Sequence, residues 1–247
     1  MLDVLGALAI SAIFTIDIGV LVGLARITPR SRMIAYVAAA AWSVLIVAIS
    51  AVGGFAPGVL GPVPAPLLPF AVLVIGGLAA WSLWPGFRGA LLSVPLAVLV
   101  GVNAFRIGGI FFLILYAQDR LAAPFGPSAG WGDTITGLAA IPLAAMIAAA
   151  RLPSRSILMV WNAFGALDLI VAVTLGVLSA QGAPFRIFMD EPGNVVMTTL
   201  PYVGVPAFLV PFYLLTHLTI AAQLRSARAQ RNSHTGRDQP VAPPARA

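Results

Sequence analysis

The sequence predicts an all-α fold, a polytopic bundle of transmembrane helices, from three observations. The 247 residues are 60% hydrophobic and only 9% charged, and the mean hydropathy is +0.99. That leaves too little polar surface to clothe a soluble globule of this size. Apolar runs near the length needed to cross a bilayer, about 20 residues each, recur along the chain between Pro, Gly and Arg. The arginines also alternate from loop to loop, as they do in multi-pass proteins.

The first span is read over Leu2 to Leu24, where the start MLDVLGALAI has no basic region and no small-residue cleavage site, so a retained helix is expected rather than a signal peptide. Met33 to Val52 and the short Leu67 to Trp84 follow. A fourth run covers Val94 to Ala117, and a fifth, Trp131 to Ala150, opens after the Gly-rich turn GPSAGWGD. Ser156 to Ser179 and Pro201 to Leu224 complete seven spans. The bundle is expected to occupy 1–225, and the polar, arginine-bearing stretch 226–247 to form a disordered tail.

Orientation comes from charge. Arg26, Arg30 and Arg32, then Arg88, then Arg151 and Arg155, then Arg225 and the tail follow alternate spans, whereas the opposite loops hold Arg120 and Arg186 balanced by Asp119, Asp190 and Glu191. An N-terminus outside and a C-terminus in the cytoplasm follow from this pattern, and an odd number of spans requires the same. The formal charge of +6 therefore reports topology, and no nucleic-acid partner is expected. The expected neighbour is the lipid bilayer. Gly19 and Gly23 form a GxxxG pair that suits close helix packing, within the bundle or in a homo-oligomer.

Absences exclude several chemistries. All 14 basic residues are arginine, so no lysine can carry a retinal Schiff base. With no cysteine there is no thiolate nucleophile, disulfide or iron–sulfur site. No P-loop, HExxH or GxSxG motif is present, and His217 is the one histidine within a span. No enzymatic activity, cofactor or metal is expected.

Ionisable groups inside the spans are the functional candidates, because each is costly in hydrocarbon. Counting at about 1.5 Å per residue puts Arg106 and Asp168 at similar depth near mid-membrane, where they are expected to pair. Asn103 and Asn162 would extend the pair into a polar cluster. Asp17 and His217 lie deeper, and the two are expected to meet if the terminal helices are neighbours. Such a pair suits a proton relay, and equally a packing histidine held by a carboxylate. Tyr213 shares a helical face with His217. Asp133 is expected to cap the fifth helix, or to stand at an outer mouth above Arg106 beneath a lid formed by Gln181 to Leu200.

Two inner loops resemble each other, ARITPRSRMI and ARLPSRSILM, and each is followed by a tryptophan, Trp42 and Trp161. Residues 1–88 and 131–225 read as two parallel three-helix repeats joined by the Arg106 helix, a 3+1+3 layout used by some small-solute transporters. The stretches FRIGGIFF, AAPFGPSAGWGDTITGLAA, WNAFGALDLIVAVTLG and TTLPYVGVPAFLVPFYLLTH resemble an uncharacterised family of bacterial seven-helix integral membrane proteins, over Phe105 to His217. The resemblance implies a bacterial plasma-membrane location and supplies no activity. The layout is similar to that of sugar-transporting seven-helix proteins, but their Pro-Gln dipeptide is missing from every span. Two functions stay open: a small-solute or proton-coupled transporter with a small-molecule ligand, and a non-transporting structural or sensory subunit.

Overall fold

The computed structural model describes residues 1–235 and is helical, with no strand among the described residues. Six helices are long and apolar enough to cross a membrane, and one bent pair adds a seventh if it is counted as a single span. The helices are α1 (Leu2–Leu24), α2 (Pro29–Ala51), α3 (Leu67–Leu83), α4 (Pro85–Leu92), α5 (Leu96–Val102), α6 (Ile110–Ala117), α7 (Phe125–Ala148), α8 (Arg155–Leu178) and α9 (Val210–Thr235). α9 runs ten residues past the expected end of the bundle, and the remainder of the expected tail, 236–247, lies outside the described residues.

Local chemistry explains most of the boundaries. Thr28 caps α2, its hydroxyl accepting from the Ser31 amide at 3.1 Å, and Ser154 does the same for α8 through Ile157 at 3.2 Å. Trp84 is extended before Pro85, since a residue preceding proline avoids the helical region, and the chain there bends by 100° from α3 into α4. The short helix α4 was not expected; the sequence suggested only a loop. Arg88 lies over the Trp81 ring at 5.5 Å, so its charge packs on an aromatic face.

Two spans are less regular than expected. Between α5 and α6 the chain tightens into a 3₁₀ turn over Asn103–Gly109, where the Asn103 amide donates to the Leu99 carbonyl at 2.9 Å. The run read as one helix from Val94 is therefore two short helices around a break, beginning after Pro95. Ahead of α9 a π-helical segment, Val205–Leu209, takes up the strain of Pro206 and Pro211. Pro211 has no N–H for the carbonyl of Ala207, and the indole N–H of Trp42 fills that vacancy at 3.0 Å.

The fifth span starts at Phe125, six residues earlier than expected. GPSAGWGD looks like a turn, yet it is helical, and its glycines serve close approach rather than a bend: Gly126 faces Tyr116 and Leu121, Gly130 faces Leu113 and the Gly109 carbonyl, and Gly132 faces Asp168. A Cβ on Gly137 would sit 2.5 Å from the backbone nitrogen of Ile107, and one on Gly130 would sit 2.5 Å from Leu113 Cδ2. The missing side chains let the broken span lie flush on α7.

Cross-links mark two ends of the bundle. At the end carrying Arg26, Arg155 and Arg225, the Arg26 amide donates to Ser93 Oγ at 2.8 Å, Arg155 Nε to the Leu224 carbonyl at 3.0 Å, and Gln223 to the Leu92 and Val94 carbonyls. Opposite it, Arg120 bridges to Asp3 at 2.8 Å and lies over Tyr202, and the Ala122 amide donates to Gly193. α9 is the central helix, with Tyr213, His217 and Ile220 buried along it, whereas α2 buries Ile46 alone and packs inward mainly through Trp42 and Ile49. The Gly19 and Gly23 face meets α2 at Tyr36, whose hydroxyl donates to the Gly19 carbonyl at 3.2 Å and would lie 3.6 Å from a Cβ on Gly23, while a Cβ on Gly19 would touch nothing within 4 Å.

Gly137→Ala is expected to lower the thermal stability of detergent-purified protein by about 1–3 kcal/mol, the usual cost of overpacking. Gly19→Ala should leave it unchanged. Equal effects at both positions, in a thermal-shift or size-exclusion assay, would contradict the close approach at Gly137.

Candidate functional site

The 3₁₀ turn delivers Arg106 to the point where α7, α8 and α9 converge. Its side chain has no exposed surface, and a guanidinium in such a place must spend its N–H groups on acceptors. Arg106 Nε donates to Asp133 Oδ1 at 2.7 Å, and Nη2 donates to Asp168 Oδ2 at 2.6 Å. Nη1 donates to the Gly165 carbonyl at 3.0 Å and to His217 Nε2 at 2.9 Å. The Tyr213 ring faces the guanidinium carbon at 5.8 Å. One arginine thus ties together three other helices, through two carboxylates, a carbonyl and an imidazole.

The arginine fixes the histidine tautomer. A guanidinium has no acceptor, so His217 Nε2 must offer its lone pair and the ring proton resides on Nδ1. Nδ1 then donates to Asn162 Oδ1 at 3.0 Å, while Asn162 Nδ2 donates to the His217 backbone carbonyl at 3.2 Å. His217 in this arrangement is neutral, because protonating Nε2 would put two donors face to face. Asn103 adds an amide 3.4 Å from Thr216 Oγ1, one residue from His217.

Two glycines make room for the cluster. A Cβ on Gly132 would overlap the Asp168 carboxylate, and one on Gly165 would lie 2.7 Å from His217 Cε1. These positions gave no signal in the sequence beyond being glycine near a charged residue. The Gly165 carbonyl was likewise invisible there, since any residue supplies a carbonyl.

The expected Arg106 and Asp168 contact is present, together with Asn103 and Asn162 close by. Two other expectations are corrected. Asp133 does not cap a helix; it lies well inside α7, whose early start places it beside Arg106. Asp17 does not meet His217. Asp17 instead accepts from the Tyr213 hydroxyl at 2.9 Å, and its Oδ1 has no partner. Tyr213 precedes His217 by one helical turn and stands between Asp17 and Arg106, so the aspartate reaches the cluster only through the tyrosine.

The two carboxylates border different spaces. Asp133 lies on the wall of a mainly apolar cavity of about 100 Å³ between α3, α7, α8 and the start of α9, roofed by Gln181, Asn194 and Met197. A smaller space of about 50 Å³ joins Asp133, Arg106 and Tyr213. Asp168 faces away, into a groove of about 520 Å³ between α7 and α8 lined by Trp131, Ile135, Phe164 and Leu167. Of the three, Asp133 is the one that lines the cavity beneath residues of the Gln181–Leu200 loop, in keeping with the alternative that put it at an outer mouth. Among the described residues no group of three or more His, Asp or Glu side chains is arranged to hold a metal ion.

With both carboxylates ionised the three charges are +1, −1 and −1, one negative in excess. Their order of sensitivity follows. Arg106→Ala leaves two buried carboxylates unopposed and should cost about 3–5 kcal/mol, read as lost folded protein on size exclusion. Asp133→Asn with Asp168→Asn strands the arginine and should be similarly damaging. Either single Asp→Asn change leaves one balanced pair and should be tolerated best. Single and double Asp variants of equal stability would contradict this charge count.

The domain of unknown function DUF8737 matches residues 63–225. That stretch holds Arg106, Asp133, Asn162, Asp168, Tyr213 and His217, whereas Asp17 on α1 lies outside it. No curated protein and no solved structure matches the chain. The match covers well over half of the residues, and the chain belongs to the DUF8737 family.

Proposed function

We propose that this protein is a proton-coupled small-solute transporter of the plasma membrane, with no enzymatic activity, whose working site is the Asp133, Arg106 and Asp168 cluster. The observation that carries the reading is the stoichiometry, two carboxylates to one buried arginine. A buried arginine shared by two carboxylates that face separate spaces has one carboxylate to spare, and that group can take a proton or a substrate without stranding any partner. Loading Asp133 from the roofed cavity leaves Arg106 held by Asp168, and unloading restores the double contact. The 3₁₀ turn that carries Arg106 is the element suited to a small rotation between these arrangements, since its hydrogen bonding is already irregular.

The topology that goes with this reading has seven passes, the bent α3 and α4 counting as one, with the N-terminus outside and the arginine-rich end in the cytoplasm. α1 to α4 and α7 to α9 then form two parallel halves flanking the broken Arg106 span. A cysteine placed at Ser226 should be labelled only from the cytoplasmic side, and one at the exposed Met189 only from outside. Labelling of both from one side would overturn the seven-pass arrangement.

A second reading, a non-transporting structural or sensory subunit, is favoured by one observation: Arg106 is fully enclosed and both its terminal nitrogens and Nε are engaged. Flux separates the two. In proteoliposomes with an internal pH dye, the wild type should couple solute uptake to proton movement, while Asp133→Asn should remain folded and lose at least about tenfold of the pH-dependent rate, having no titratable group on the cavity wall. Folded wild type with no proton-coupled flux across a broad panel of small anions, cations, sugars and amino acids would leave the subunit reading.

A further inference from the structure

The roofed cavity has a chemistry of its own. Its walls are Phe55, Phe70, Phe112, Phe125, Leu169 and similar groups, and polar atoms come almost wholly from Gln181, Asn194 and Thr198 near the roof and from Asp133. Asn194 is already committed, its amide donating to the Gly176 carbonyl at 2.5 Å. Gln181 is committed too, to Glu191 and to the Pro192 carbonyl. Asp133 Oδ1 is held by Arg106, Oδ2 makes no hydrogen bond among the described residues, and Asp133 lines the cavity. An occupant therefore meets hydrocarbon on nearly every side and one free carboxylate oxygen.

We infer that this cavity binds a small apolar monocation, an aromatic or alkyl amine in its ammonium form, with the charge against Asp133 and the apolar body among the phenylalanines. Three considerations select that class. Size comes first, since a cavity of about 100 Å³, smaller than the ~150 Å³ apolar cavity that takes up benzene, disfavours any body much larger than one ring. Polarity is second: sugars and amino acids carry many hydrogen-bonding groups that these walls would leave unpaired. Charge decides between the remaining candidates. With both carboxylates ionised, a monocation brings the sum over Arg106, Asp133 and Asp168 to zero, a neutral alcohol leaves the excess negative charge, and an anion doubles it.

This inference rests on the proposed transport reading and names its substrate class. A proton and the ammonium group compete for the same excess charge, so cation entry displaces a proton and the two exchange one for one with no net charge moved. The titratable and charged groups around Asp133 are Arg106 from the 3₁₀ turn, Asp168 from α8, and Tyr213 and His217 from α9, with Asp17 of α1 behind Tyr213. Arg106 is the one permanent cation among them, and it is already shared.

The test uses three molecules of one shape, benzylammonium, benzyl alcohol and benzoate, in equilibrium binding to full-length protein in nanodiscs. Benzylammonium should bind about tenfold or more tighter than benzyl alcohol, benzoate should not bind, and benzylammonium affinity should fall as pH is lowered. Asp133→Asn should erase the preference for the cation, whereas Asp190→Asn, an acid on the loop outside the cavity, should not. Ala172→Phe, which fills the cavity without touching the charges, should weaken benzylammonium and benzyl alcohol together, and so serves if Asp133→Asn proves unstable. Benzyl alcohol binding as tightly as the cation, or a cation affinity unmoved by both cavity variants, would overturn the inference. Asp133-dependent benzylammonium binding without flux would remove transport and keep the site. Proton-coupled flux of another solute without benzylammonium binding would do the reverse.

Discussion

A guanidinium placed inside a membrane protein has to find its counter-charges there, and Arg106 finds them on two helices other than its own. Its contacts with Asp133 and Asp168 replace the water it cannot reach, at 2.7 and 2.6 Å, and the Gly165 carbonyl and His217 complete the set. These bonds are short and charge-assisted, so the positions of α7, α8 and α9 relative to the Arg106 turn are set by them rather than by apolar packing alone. Apolar packing in lipid discriminates weakly between arrangements, since lipid tails offer much the same contacts.

Several irregular features follow from that requirement. The 3₁₀ turn shortens the span where Arg106 must enter, and α7 carries glycines where the turn and the Asp168 carboxylate press against it. His217 is held as one tautomer because the arginine leaves it no donor role at Nε2. Tyr213 fills the space between the cluster and Asp17, so a buried carboxylate on α1 is linked to the core by a hydroxyl rather than by a charge. Two carboxylates around one arginine are more than neutrality needs, and they open on different spaces.

The helices were legible in the sequence because span length and hydropathy are properties of local stretches. Arg106 and Asp168 were legible as partners because two isolated charges at similar depth have few other ways to be accommodated. Asp133 was misread as a cap, since GPSAGWGD has the composition of a turn, whereas its glycines let a helix pack closely on Tyr116, Leu113 and Asp168. Asp17 and His217 were matched by depth alone, which cannot show the direction a side chain faces around a helix. Tyr213 supplied the missing link, and it was visible only as a neighbour of His217. α4 was hidden because its eight residues, opening on Pro85, make too short a run to stand out from a loop. Across the chain, residues acting through charge left a trace in the sequence, whereas those acting by absence, Gly132 and Gly165 above all, left none.

The central claim is that Arg106 contacts both carboxylates at once. Solid-state NMR distance measurements in lipid, with ¹⁵N-labelled arginine and ¹³C-labelled aspartate carboxylates, test it most directly, using Asp133→Asn and Asp168→Asn to assign each coupling. The account predicts contact-range dipolar coupling from the Arg106 side chain to two distinct carboxylate carbons, with one lost in each variant. A coupling to a single carboxylate, unchanged by one of the two substitutions, would contradict it.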